Sequence, residues 1–372
     1  MRKALIAGML LLGVSQNLLA QGNLPVTDSL DLMIGQMIMT GLGDFNELDR
    51  GAPVFEAIRA GKVGGVILFE KNLNSKNTEE NIQEILSYAQ AQTGIPLLVS
   101  IDEEGGRVNR LKTKYGFPRT VTAQYLGTLN NPDSTSFYAK QTASILYQLG
   151  VNMNFAPSVD VNVNPSNPVI GKIGRSYSSD PTVVARHAQL TVEAHDLFGI
   201  ATVLKHFPGH GSSRDDSHLG LADVSDTWRF EELLPYKALL DSGKVDAVMT
   251  AHIVNAVLDD RKLPATLSDK VISDVLRGFL EYDGVVISDD MQMRAISAQY
   301  GQEDAIKMAI NAGVDILLFA NNVPDYDLVT AEQIHSIIKK FIKNGDISEE
   351  QIAKSYQRIM ILKEKMGLTS TK

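Results

Sequence analysis

One glycine-rich stretch concentrates the side chains that could carry out acid–base or metal chemistry. Residues 205–218 read KHFPGHGSSRDDSH and contain three of the seven histidines in the chain. The glycines and serines predict a loop rather than a helix. Asp216 and His218 could form a carboxylate–imidazole pair, in which the carboxylate fixes the tautomer and raises the basicity of the ring. Alternatively, His206, His210 and His218 could bind a metal ion together with an aspartate.

Charged residues also follow other apolar runs, at the point where each run ends. The five segments are Asp102–Arg110, Pro157–Asp160, Lys205–His210, His252 and Asp289–Asp290. Burying a charge costs free energy unless the charge is paired, so a single case would be interpreted as a structural ion pair. Five such segments together predict a polar pocket.

Two consecutive aspartates end the run GVVIS at residues 284–288. An aspartate at the end of a buried strand can act as a nucleophile or as an electrostatic stabiliser. It could equally cap a helix or form an ion pair at the rim. Since side chains alternate along a strand, Asp289 and Asp290 cannot both face the pocket. The spacing alone does not choose between them.

The elements that must position these residues are eight short strands. Their sequences are almost continuously apolar, which is typical of parallel strands covered on both faces. The predicted strands are residues 37–43, 63–69, 97–102, 151–157, 201–206, 247–252, 285–289 and 315–320.

Amphipathic segments between these strands predict helices. In residues 79–92, for example, Ile82, Ile85, Leu86 and Ala89 share one helical face. The other predicted helices are residues 134–149, 181–198, 230–242, 268–282, 303–312, 327–344 and 348–366.

Strands that alternate with helices predict the α/β class and a single (β/α)8 TIM barrel. A doubly wound open sheet is the structural alternative. No linker rich in Pro, Gly or Ser and no change of composition divides the chain, so we expect one catalytic domain over residues 21–372. In a barrel, the carboxyl ends of the strands form the active-site face, which is where the charged segments fall.

The composition excludes several classes of protein. The 372 residues are 44% hydrophobic and 21% charged, which is typical of a globular fold. A net charge of −9 argues against nucleic-acid binding, which needs lysine and arginine to contact phosphates. The absence of cysteine excludes disulfides, thiolate metal sites and a thiol nucleophile.

The amino-terminal residues predict a targeting segment rather than part of the fold. Arg2 and Lys3 precede an apolar run over residues 4–14, which is short for a membrane span, and Ala20 follows as a small residue. We therefore expect a signal peptide over residues 1–20, with an uncleaved membrane anchor as the alternative. The expected location is periplasmic or secreted, without stable membrane contact after the signal is removed.

The motifs together resemble a known enzyme family. KHFPGHG followed by DSH, with DEEGGR earlier and SDD later, is similar to glycoside hydrolase family 3, and more closely to its single-domain β-N-acetylglucosaminidase branch. The resemblance extends over nearly all residues after 20. It implies a retaining exo-β-N-acetylglucosaminidase with Asp289 as the nucleophile. It also implies that His218 is the acid/base and that Asp216 orients it.

The resemblance further implies how the terminal sugar is bound. The residues implied for this subsite are Asp102 and Arg110 of the segment DEEGGRVNR, Arg175 of a GRS motif, and Lys205 and His206.

The expected substrate is a muropeptide, another peptidoglycan fragment or a chitin oligosaccharide. We expect a monomer that uses no cofactor and no metal and binds no nucleic acid. Two alternatives remain: a metal-dependent hydrolase using His206, His210 and His218, and a family 3 enzyme of the β-glucosidase type.

Overall fold

The computed structural model of the protein describes residues 29–217, 220–322 and 328–369. Eight parallel strands form one sheet in the order β10-β1-β2-β3-β4-β5-β7-β9, and two short strands form a separate ribbon. The strands are β1 (Ile38–Gly41), β2 (Gly65–Leu68), β3 (Leu98–Ile101), β4 (Met153–Asn154), β5 (Ala201–Phe207), β6 (Ala222–Asp223), β7 (Ala247–Thr250), β8 (Ile253–Val254), β9 (Val285–Ile287) and β10 (Leu317–Phe319).

The sheet curls until its two edge strands meet. Ile287 of β9 forms a parallel bridge with Ile316, directly before β10, and the Ser288 amide donates to the Ile316 carbonyl at 2.9 Å. Every residue of the eight sheet strands is buried, as the continuous apolar runs predict. The predicted (β/α)8 barrel is therefore confirmed, and the open-sheet alternative is wrong.

Helices surround the barrel. They are α1 (Leu30–Gln36), α2 (Pro53–Arg59), α3 (Thr78–Gln90), α4 (Ala123–Leu129), α5 (Pro132–Leu149), α6 (Pro181–Asp196), α7 (Leu234–Asp241), α8 (Arg294–Tyr300), α9 (Gln302–Ala312), α10 (Ala331–Asn344) and α11 (Glu349–Lys365). A π-helical segment covers Lys270–Phe279, and a 3-10 turn over Phe230–Leu233 leads into α7. Side chains such as Asp180 and Ser348 accept backbone hydrogen bonds at helix starts.

Some elements differ from the sequence-based prediction. The short helices α1, α2, α4 and α8 were not predicted, and neither was the ribbon formed by β6 and β8. Helices of seven residues and strands of two residues contain too few positions for a hydrophobic period to be recognised. No helix within the described ranges is both long and apolar enough to cross a membrane. The predicted signal peptide lies outside the described residues.

The end of the barrel opposite the charged segments is held by a buried lysine. Lys363 of α11 is fully buried and donates to Gln36 Oε1 at 2.6 Å, to the Gly64 carbonyl at 3.0 Å and to the Pro96 carbonyl at 2.7 Å. Gly64 directly precedes β2, and Pro96 lies two residues before β3. The Lys363 side chain therefore links α11 to the starts of these two strands. Burial lowers the pKa of Lys363 to about 7.

Candidate active site

A cavity of about 550 Å³ opens at the carboxyl ends of the barrel strands. This volume suits a small-molecule or sugar site. The cavity brings together all the predicted site residues that the structure describes. They are Asp102, Arg110, Arg175, Lys205, His206, Asp216 and Asp289. His218 lies outside the described residues, so its predicted role stays a prediction.

Lys205 is the centre of the charged cluster on one side of the cavity. Its side chain is 2% exposed, and its Nζ lies 2.7 Å from Asp102 Oδ1 and 2.7 Å from Glu104 Oε1. Arg110 donates to the other Asp102 oxygen at 3.2 Å. Burial would raise the pKa of Asp102, but the charges of Lys205 and Arg110 outweigh it and leave that pKa below its usual value. Asp102 is therefore an ionised acceptor at the cavity wall.

Arg175 reaches the same cluster from the segment before α6. Its guanidinium binds both Glu104 oxygens, at 2.9 Å from Nε and 2.6 Å from Nη2, and Nη1 donates to the Val169 carbonyl at 3.0 Å. Burial opposes ionisation of Glu104, yet Arg175 and Lys205 keep its pKa well below the usual range. The sequence analysis did not assign Glu104. Its position two residues after Asp102 is the signal that could have identified it, because alternate side chains face the same way.

His206 is fixed by two partners of different kinds. Its Nδ1 lies 2.7 Å from Asp160 Oδ2, and its Nε2 lies 3.0 Å from Nη2 of Arg175. Since arginine can only donate, Nε2 must accept and the ring proton must be on Nδ1, donated to Asp160. These two contacts fix the orientation of the ring at the cavity wall. Asp160, which follows β4, was noted in the sequence but not assigned as a site residue.

Asp160 also anchors the start of the loop that follows β5. Its Oδ1 accepts the backbone N–H of His210 at 2.7 Å and that of His206 at 3.2 Å. His210 Nε2 contacts Ser217 Oγ at 3.1 Å, and this contact links two parts of the same loop. Burial lowers the pKa of His210 to about 4, which keeps its ring neutral near pH 7.

Asp289 and Asp290 both line the cavity, so the prediction that only one of them faces it is wrong, but they differ in their surroundings. Asp290 is buried, and its Oδ1 accepts the backbone N–H of Gln292 and that of Ala320, each at 3.1 Å. These bonds tie the end of β9 to the end of β10. Asp289 is half-buried at the cavity wall, and its Oδ1 accepts the Asp290 backbone N–H at 2.8 Å. This hydrogen bond orients the Asp289 carboxylate without burying it.

The loop after β5 places a second acid at the cavity. Asp216 is half-buried and lines the cavity that Asp289 also lines. Glycine is required at the base of this loop, since a Cβ at Gly211 would lie 1.7 Å from the Val161 carbonyl oxygen. The backbone at the base of the loop thus packs directly against the segment after β4 that contains Asp160.

A further buried acid supports the charged cluster at the cavity wall. Glu103 Oε2 accepts the backbone N–H groups of Arg110 at 2.8 Å and Leu111 at 3.0 Å, and Asn109 donates to its Oε1. Burial raises the pKa of Glu103 to about 7, although these bonds partly oppose it. Glu103 therefore shapes the turn that presents Arg110. Sequence reasoning did not single it out.

Comparison with known proteins decides the family. The family described as "Glycosyl hydrolase family 3 N terminal domain" matches residues 29–362. The chain belongs to glycosyl hydrolase family 3. The predicted resemblance is confirmed.

Several named proteins resemble this chain over most of its length. Beta-hexosaminidase A of Pseudoalteromonas piscicida is 35% identical over 335 residues, which are 85% of this chain and 55% of that protein. The family 3 β-N-acetylglucosaminidase of Paenibacillus sp. str. FPU-7 is 36% identical with a TM-score of 0.81, over 93% of this chain and 64% of that one. The β-N-acetylhexosaminidase of Beutenbergia cavernae is 30% identical with a TM-score of 0.77, over 91% and 99%.

The chain thus covers from about half to nearly all of the length of these relatives. It covers less than two thirds of the Pseudoalteromonas and Paenibacillus proteins and almost the whole Beutenbergia protein. What the longer relatives do as whole proteins therefore bears on this chain only through the barrel that they share with it.

Proposed function

We propose that this family 3 barrel is a retaining exo-β-N-acetylglucosaminidase that removes terminal β-linked N-acetylglucosamine. The observation that carries the proposal is the single cavity shared by Asp289, Asp216 and the buried ion cluster around Lys205. A glycosidase needs a nucleophile on one face of the sugar, a proton donor near the leaving oxygen, and fixed polar groups for the hydroxyls. The names of the similar proteins support the same sugar.

In the first step, an oxygen of Asp289 attacks the anomeric carbon and the bond to the aglycone oxygen breaks. His218 protonates that oxygen as it leaves, and the sugar stays attached to Asp289 as a glycosyl ester. An imidazole has an ordinary pKa near ~6.5, which suits proton transfer around neutrality. Asp216 orients this ring and stabilises its protonated form.

In the second step, His218 removes a proton from water and the hydroxyl attacks the anomeric carbon. The bond to Asp289 breaks, so two displacements give net retention of configuration. Proton and charge are balanced over the cycle, because the histidine regains the proton that it gave to the aglycone.

The buried ion cluster is proposed to bind the hydroxyl groups of the terminal sugar. Asp102 accepts from hydroxyls because its own cations hold it ionised, whereas Arg110 and Lys205 donate. Arg175 and His206 complete the wall of this subsite. Since all these groups are paired before the substrate arrives, little conformational entropy is lost when the sugar binds.

One exposed cation favours an acidic aglycone. Arg294, the first residue of α8, lines the cavity mouth, and no carboxylate of the described ranges lies within ion-pair distance of it. Arg110, Arg175 and Lys205, by contrast, already have carboxylate partners. A muropeptide or other peptidoglycan fragment would supply a carboxylate to Arg294, so we favour it over a chitin oligosaccharide.

The metal-hydrolase alternative fits the site less well. It requires His206, His210 and His218 as ligands, but both ring nitrogens of His206 are already engaged. The Arg175 guanidinium in particular contacts His206 Nε2, where a metal cation would be repelled. Within residues 29–217, 220–322 and 328–369, no three His, Asp or Glu side chains are grouped so that they could hold a metal.

The experiment measures release of p-nitrophenol from its β-N-acetylglucosaminide with excess EDTA, with the β-glucoside as the control substrate. Turnover of the first substrate and little of the second supports the proposal. Activity that returns only with a divalent ion would favour the metal alternative, and preference for the glucoside would favour the β-glucosidase alternative.

We also propose that the enzyme is exported to the periplasm or secreted, and acts as a monomer. The basic start and apolar run of residues 1–20 support export. Amino-terminal sequencing of the purified native protein tests cleavage near Ala20, and light scattering tests the monomer. Sequencing that starts at Met1, or a mass of twice the chain, would contradict these two points.

A further inference from the structure

Glu232 is a buried acid that the proposed mechanism does not use. It lies in the 3-10 turn before α7 and is fully buried. Among the described residues, no lysine, arginine or histidine lies within ion-pair distance of its carboxylate. Burial raises its pKa to about 7, partly opposed by hydrogen bonding from Ser212. Burying such a group without a counter-charge costs free energy, so a specific contact is expected to account for it.

The contacts of Glu232 lead to the loop after β5. Its Oε2 accepts the Ser212 backbone N–H at 3.2 Å, and its Oε1 accepts the Arg229 backbone N–H at 3.4 Å. One carboxylate therefore links the turn before α7 to the base of the loop. Ser212 is four residues before Asp216 and six before His218 in the chain.

The packing around Glu232 is too close to allow the loop base to move independently. Gly209 has a φ of +115°, and a Cβ there would lie 2.6 Å from Glu232 Cβ and 3.0 Å from its Oε2. Four residues before Glu232, Trp228 Nε1 donates to the Pro208 carbonyl at 3.0 Å. The segment Trp228–Glu232 thus holds the loop base at Pro208 and at Ser212.

We propose that Glu232 is a positioning residue that sets the place of Asp216, one member of the proposed acid/base pair with His218, by holding the backbone of the loop base at Ser212. This inference rests on the proposed function, because it concerns the efficiency of that pair. Glu232 is not among the residues that line the cavity, and the Asp289 side of the cavity is supported by other bonds, from Gln292 and Ala320 to Asp290.

The inference makes a prediction that a general loss of stability would not make. A misplaced general acid slows the departure of poor leaving groups, which need protonation, but hardly affects leaving groups that are stable anions. A misplaced general base slows attack by water on the glycosyl ester, but not attack by azide, which has no proton to lose.

The test compares Glu232→Met, which fills the volume without an oxygen, with Glu232→Gln, which keeps an acceptor for the Ser212 N–H. For Glu232→Met we expect kcat/KM on chitobiose to fall at least ~10-fold, and on the dinitrophenyl glycoside to stay within about threefold. Azide should raise its kcat on the dinitrophenyl substrate and yield the glycosyl azide. Glu232→Gln should restore most of the chitobiose activity.

Glu103→Gln serves as the matched control. It is also a buried acid with a pKa raised to about 7, but it holds Arg110 and the sugar-subsite turn. Its effect should appear as a higher KM for all leaving groups, with no response to azide.

Equal losses on both substrates, or no azide response, in Glu232→Met would overturn the inference. If that variant does not fold, Trp228→Phe removes the neighbouring hydrogen bond to Pro208, and its losses are judged by the same two criteria. Failure of the proposed function would appear separately, as absence of turnover in the unmodified enzyme.

Discussion

Lys205→Met is the substitution whose consequences the structure determines most fully. The native ammonium is 2% exposed and is shared between Asp102 and Glu104, at 2.7 Å from each. Methionine has a similar length and removes the charge without opening a large cavity. Glu104 keeps its two bonds to Arg175, whereas Asp102 keeps one bond to Arg110 at 3.2 Å. The change therefore acts mainly on Asp102.

The expected magnitude follows from these contacts. Removing one partner of a buried ion pair costs about 3–5 kcal/mol in the free energy of unfolding, and the remaining arginines place this case near the lower figure. Asp102 then loses its fixed orientation, and with it a charge-assisted hydrogen bond to the sugar of about 1.5–3 kcal/mol. At about 1.4 kcal/mol per factor of ten, kcat/KM should fall about 10- to 150-fold.

The assay is kcat/KM on the p-nitrophenyl β-N-acetylglucosaminide, together with the free energy of unfolding from urea titration. Lys363→Met is the matched control, since it removes a fully buried ammonium at the opposite end of the barrel. It should destabilise the protein and leave kcat/KM unchanged. If Lys205→Met kept native kcat/KM, or if the two variants lost kcat/KM equally, the assignment of Lys205 to the sugar subsite would be refuted.

Three further predictions concern other charged groups. Arg175→Lys should lower kcat/KM at least about tenfold, because lysine cannot bind both Glu104 oxygens in the same way. Steady-state kinetics would measure this loss, and an unchanged kcat/KM would contradict the prediction. The pKa of Lys363 is lowered to about 7 from an ordinary 10.5, so the unfolded chain holds more protons between these values. The free energy of unfolding should therefore rise with pH across that window. The slope should be less than about 1.4 kcal/mol per pH unit, because the carbonyl acceptors favour the ammonium form. Urea titrations of Lys363→Met should no longer show this slope. Arg294→Ala should raise KM for a muropeptide several-fold but not for chitobiose, and equal KM changes would remove the argument for an acidic aglycone.

The barrel could be predicted because its signal is local. Each strand falls in a mostly apolar run, and the structure contains a strand in each of the eight predicted segments, with β5 extending one residue further. The charged residues at strand ends could be predicted to converge, since parallel strands in a barrel end at the same face. Asp102, Lys205 and Asp289 were found in this way or through the family motifs, and they share one cavity.

The residues that sequence reasoning missed act through contacts between distant segments. Asp160 meets His206 and His210 some fifty residues later, and Glu232 meets Ser212 across a turn and a ribbon. No periodicity or spacing within a single segment records such pairs. They depend on the packing of neighbouring strand ends.

The spacing of residues in the sequence also could not show which of the two consecutive aspartates is the nucleophile. Alternation along a strand predicted that only one of them faces the cavity, but both line it, because they lie beyond the end of β9 at Ile287. Asp290 is buried and accepts the Ala320 N–H from the neighbouring strand end, whereas Asp289 is half-buried. The choice of Asp289 as the nucleophile, which the family motif implied, stays a prediction.

The central claim is that Asp289 forms a covalent bond to the sugar, and trapping that intermediate tests it most directly. The enzyme is incubated with a fluorinated N-acetylglucosaminide that carries a good leaving group, then digested, and the labelled peptide is sequenced by mass spectrometry. We predict one added sugar per chain, attached to Asp289, and a product of retained configuration by NMR. A label on Asp290 or any other residue, or an inverted product, would contradict the account.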